Sequence, residues 1–109
     1  MSIYKTSDPS DIIYKKKLEE KVVDDIDCLR EFGEITLKEL IVTKMFFGLD
    51  YIHLEMSFED IADMLYRFNL TPQKLSISEI AGIESDAVKK ISKKSQFFVN
   101  YLELVKRII

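Results

Sequence analysis

The residues best suited to chemistry are four lysines in SDAVKKISKKS: Lys89, Lys90, Lys93 and Lys94. They form two adjacent pairs four residues apart, so on a helix the pairs stand about one turn from each other. Ammonium groups at that spacing suit a row of phosphates, which they neutralise without reading sequence. Ser85, just upstream, is placed to cap a helix and to donate its hydroxyl to a phosphate.

Other chemistries lack parts. His53 is the only histidine and Cys28 the only cysteine, so neither a zinc set nor a Cys–His or Ser–His pair can be assembled. Gly33, Gly48 and Gly82 lie too far apart for a phosphate loop. Asp60 and Asp63 share a helical segment, a spacing that surface carboxylates commonly show. No catalytic residue, metal site or cofactor is predicted, and the chain is not expected to be an enzyme.

Charge sharpens the picture. The net charge is −3, yet residues 1–35 hold 6 basic against 9 acidic side chains, 36–70 hold 3 against 6, and 71–109 hold 7 against 4. Screening at physiological salt confines exposed charges to about 8 Å, so the local lysine cluster matters more than the total. With 47% apolar and 32% charged residues over 109 positions, a single globular domain is expected. The lone cysteine suits a reducing compartment. No run is apolar enough to span a membrane, and the N-terminal lysines follow the apolar patch, the wrong order for a secretory signal. A cytoplasmic protein with no membrane partner is expected.

The elements that position the lysines are predicted to be helices. Residues 1–9 are expected to be a flexible leader. Ser10 then caps a charged helix over 10–33, whose apolar face is Leu18, Val22, Ile26 and Leu29. Thr36–Glu39 and Ser76–Glu79 are capping boxes, and Ser57–Asp60 is a looser version. Gly48 and Asn69 are expected helix stops. Residues 49–56 alternate loosely and are expected to form a loop with a short extended piece. Phe46, Phe47, Tyr51, Phe58, Tyr66 and Phe68 are expected in the core. A long last helix is predicted from Asp86, capped by Ser85, with Val88, Ile91, Phe98, Leu102 and Val105 along one stripe. The fold class is therefore all-α: a compact bundle of five or six helices with a helix-turn-helix-like half over 57–109.

In that half Gly82 allows a turn, Ile83, Val88 and Ile91 point inward, and the lysines point outward. The stretches ITLKELIVTKMFFGL and MSFEDIADML, with GIESDAVK, resemble the fourth, DNA-binding region of bacterial primary-type sigma factors and related activators. The resemblance implies that Ser57–Leu65 is a supporting helix and that Ser85, Lys89, Lys90 and Lys93 face DNA, leaving other surface for RNA polymerase. This chain departs from that pattern by placing Tyr66–Ala81 between the two helices. IAGIESDAVKKI is also similar to a helix-hairpin-helix, but Glu84 stands where a second glycine would admit phosphate.

Two functions follow as expectations. One is a small transcription-type regulator contacting DNA or RNA polymerase. The other is a helical adaptor or inhibitor that grips protein through Leu102, Val105, Ile108 and Ile109. A homodimer fits either.

Overall fold

The computed structural model describes residues 9–50, 52 and 54–108. Five helices follow one another: α1 (Pro9–Glu31), α2 (Leu37–Phe47), α3 (Phe58–Arg67), α4 (Ile77–Lys94) and α5 (Gln96–Ile108). No strand occurs among the described residues, those of 49–56 included. The expected leader lies outside them, apart from Pro9. That residue already begins α1, so Ser10 is inside the helix rather than capping it.

Three starts form as their side chains dictate. Thr36 and Ser76 accept hydrogen bonds from the backbone N–H of Glu39 and Glu79, whose carboxylates accept in return from the N–H of Thr36 and Ser76. Ser57 accepts from Asp60 N–H. Each cap is worth roughly 1 kcal/mol. Gly48 ends α2 in the left-handed region, at φ 66°. Asn69 takes the same conformation just past α3.

Two cores result. Leu18, Val22 and Ile26 of α1 meet Phe98, Tyr101 and Leu104 of α5, together with Ala87 and Ile91 of α4. Val42 and Met45 of α2 pack with Ile61, Ala62 and Leu65 of α3 and with Ile80 of α4. α1 and α5 run antiparallel: Asp25 meets Ser95, Lys21 lies over the Phe97 ring, and Tyr14 shares a surface hollow with Asn100 and Glu103. Lys44 ties α1 to the end of α2, donating to Asp27 and Asp50 at 2.8 Å each.

α4 therefore belongs to both cores, and this corrects the sequence expectation in two places. The chain does not turn at Gly82, and Ser85 caps nothing, because α4 runs unbroken from Ile77 to Lys94. Ile80, Ala87 and Ile91 are all buried on one face. That periodicity continues across the glycine, and an interior glycine costs only about 1 kcal/mol against alanine. The break comes at Ser95 instead, in extended backbone at φ −132° and ψ 108°. Ser95 Oγ accepts the Phe98 N–H, starting α5, and donates to Asp25 Oδ2 at 2.6 Å. The long helix expected from Asp86 to the C-terminus is thus the second half of α4 followed by a separate α5.

The aromatics also divide. Phe46 stacks on Phe58 with ring centroids 5.0 Å apart, and Phe47 meets Phe98 and Tyr101 edge-on. Tyr66 and Phe68, expected inside, are 50% and 62% exposed, because they sit at the C-terminal end of α3, off its buried Ile61, Ala62 and Leu65 stripe. Tyr51 lies outside the described residues.

Candidate nucleic-acid interface

The lysine cluster occupies the last turns of α4. Lys89 follows Ile80 by nine residues, about two and a half helical turns, so it points away from the core that Ile80 enters. Lys93 stands one turn further on the same side. Lys89, Lys93 and Lys94 are exposed, and none of them has a carboxylate within salt-bridge distance among the described residues. Four residues of helix advance about 6 Å, between one and two of the roughly 3.4 Å axial rises that separate successive phosphates of one duplex strand. Ser85, Gly82 and Ser78 continue the outer face toward the start of α4, all of them exposed. Asp86, also exposed, is the nearest acidic residue in sequence to the lysine pairs.

Lys90 differs from its neighbours. Its Nζ donates to both carboxylate oxygens of Glu39, at 2.9 and 3.1 Å. Glu39 is itself buried, with its side chain 9% exposed. Burial pushes the Glu39 carboxyl up, but the Thr36 N–H and the Lys90 ammonium outweigh it and hold the group below the ordinary glutamate range. Glu39 stays ionised at neutral pH and fixes Lys90 on the α2 flank of α4. The sequence placed Lys90 among the phosphate contacts; a partner 51 residues away in the chain has claimed it.

The other expected site residues are scattered. Leu102 and Val105 are half-buried against the α1–α5 core, so part of each side chain is already covered. The Ile108 side chain, Ile109 and His53 lie outside the described residues. Asp63 pairs with Lys74 at 2.7 Å, and that hydrogen bond lowers the carboxyl's pKa. Asp60 lies in the first turn of α3, where Ser57 Oγ accepts its backbone N–H. Among the described residues no group of three or more His, Cys, Asp or Glu could hold a metal ion.

One feature that sequence reasoning missed lies beside Glu39. A cleft of about 460 Å³ opens between α2 and α4, lined by Leu37, Ile41, Leu70 and Ile83, with Lys38 and Asp86 also on its walls. The signal for it was the apolar Leu37 and Ile41, four apart on α2, of which Leu37 is exposed and Ile41 only partly buried. No described helix is long and apolar enough to cross a membrane. No family model, curated protein or solved structure matches the chain.

Proposed function

We propose that this chain is a small, non-enzymatic transcription-type regulator whose α4 ridge meets nucleic-acid phosphate. The observation that carries the reading is the exposed lysine cluster at the end of a helix anchored in both cores, with Lys89 and Lys93 in a row and Lys94 on the adjoining side. Anchoring matters because a rigid row loses little conformational freedom when a phosphate strand docks along it. The α3–α4 pair takes the place of supporting and recognition helices, with a connection over 68–76. RNA polymerase is the proposed protein partner for the remaining surface.

Titration of labelled random-sequence duplex DNA at about 50 and about 200 mM salt tests this. Three neutralised phosphates give a log–log slope near −2.7, and Lys89→Glu with Lys93→Glu should abolish binding while helicity is unchanged. Binding that is flat in salt, or survives the double substitution, rejects the reading.

The apolar cleft between α2 and α4, with Leu37 45% exposed at its mouth, favours the second reading, a helical adaptor gripping protein. No duplex binding at either salt would leave that reading standing.

A further inference from the structure

We infer that Glu39 is a built-in counter-ion that withholds Lys90 from phosphate, so that the α4 ridge binds with three lysines where its sequence offers four. The inference rests on the nucleic-acid reading above and concerns the regulation of that same site. Its basis is geometric. Glu39 serves two donors at once: its Oε1 accepts the Thr36 N–H at 2.8 Å, and both its oxygens accept from Lys90. The first contact belongs to the α2 capping box, which keeps the carboxylate in place whatever α4 binds. A phosphate seeking Lys90 must therefore compete with an anion already seated and largely shielded from water. Such a charge-assisted pair is stronger than a neutral hydrogen bond, and solvent reaches it mainly from the lysine side, which is 49% exposed. Lys90 is thus partly open yet already neutralised, unlike Lys89, Lys93 and Lys94.

The arrangement also sets the direction of the ridge. Lys90, about 100° round α4 from Lys89, is drawn toward α2, while Lys89 and Lys93, about 40° apart, face outward. Glu39 is then a positioning residue for the interface, touching no nucleic acid itself.

Glu39→Gln separates the roles, because glutamine serves the third position of a capping box as well as glutamate does while carrying no charge. Releasing Lys90 should steepen the log–log salt slope by about 0.9 and tighten binding several-fold at about 50 mM salt. Lys90→Gln alone should leave the wild-type slope unchanged, and the double variant Glu39→Gln/Lys90→Gln should return to it. These slopes, measured by anisotropy on random-sequence duplex with circular dichroism to verify folding, would not move if the pair were only structural. A Glu39→Gln slope equal to wild type overturns the inference, and so does a shallower slope for Lys90→Gln. A wild-type protein that fails to bind duplex at low salt overturns the underlying reading first, and the inference with it.

Discussion

Two glycines, Gly48 and Gly82, look alike in sequence and behave oppositely. Each follows a short apolar helical stretch and precedes a branched apolar residue. Gly48 ends α2: its φ is 66°, its N–H meets the last carbonyls of the helix, and the Leu49 N–H reaches back to Lys44 O at 2.8 Å. Gly82 sits in the middle of α4 with open space where a side chain would be. Glycine makes a stop available and does not impose one. The hydrophobic pattern decides, since beyond Gly82 the buried stripe resumes in phase at Ala87 and Ile91, whereas beyond Gly48 the chain must reverse to bury Leu49.

Gly82→Pro breaks this comparison most severely. Proline in a helix interior removes a hydrogen bond and clashes with the carbonyl four residues back, costing about 3 kcal/mol or more. Because α4 is shared by both cores, the loss should appear as one cooperative transition at lower denaturant, with reduced helicity. Normal stability in this variant would mean that the chain does turn at Gly82.

Gly48→Ala should cost less, about 2 kcal/mol. Left-handed backbone alone disfavours alanine by roughly 1–2 kcal/mol. The added methyl also meets backbone, lying 2.8 Å from the Leu54 carbonyl carbon and 2.9 Å from Glu55 N. That obstacle cannot rotate away as a side chain would, so the 49–56 loop has to shift. Equal stability of wild type and variant in urea would show that this close approach is absent in solution.

The same contrast explains what the sequence could and could not reveal. Thr36, Ser57 and Ser76 were legible as helix starts because each acts on a backbone N–H three residues away, and local chemistry was enough. Leu18, Val22 and Ile26 were legible as a core face by spacing alone. Ser85 had the credentials of a cap, but no helix end came to it, since Ser76 had already started α4 and nothing interrupted the buried face. Ser95 acts just as locally on the Phe98 N–H, but it was missed because the apolar spacing of Val88, Ile91, Phe98 and Leu102 reads as one helix running through it. Its other partner, Asp25, is 70 residues away and is brought close only when α5 folds back on α1. The Glu39–Lys90 pair was hidden for the same reason. Lysines that look equivalent in SDAVKKISKKS are distinguished by a carboxylate on another helix, so the candidate interface was legible as a cluster but not residue by residue.

Gly82→Ala carries the smallest expected effect and has the opposite sign. At a solvent-facing helix interior alanine has the higher propensity, and it lowers the entropy of the unfolded chain, together worth about 0.5–1 kcal/mol of added stability. Nothing lies within 4 Å of the new methyl, so no clash offsets the gain. In a domain of this size the melting temperature should rise by roughly 2–8 °C. The three substitutions then form a series: a stop residue at 82 destabilises, a methyl at 82 stabilises, and a methyl at 48 destabilises. If Gly82→Ala instead lowers the melting temperature, the backbone at 82 is not helical in solution, and the difference between the two glycines collapses. A rise would place Ser78, Gly82, Ser85, Lys89 and Lys93 on one uninterrupted helix, the geometry that a rigid phosphate-binding row requires.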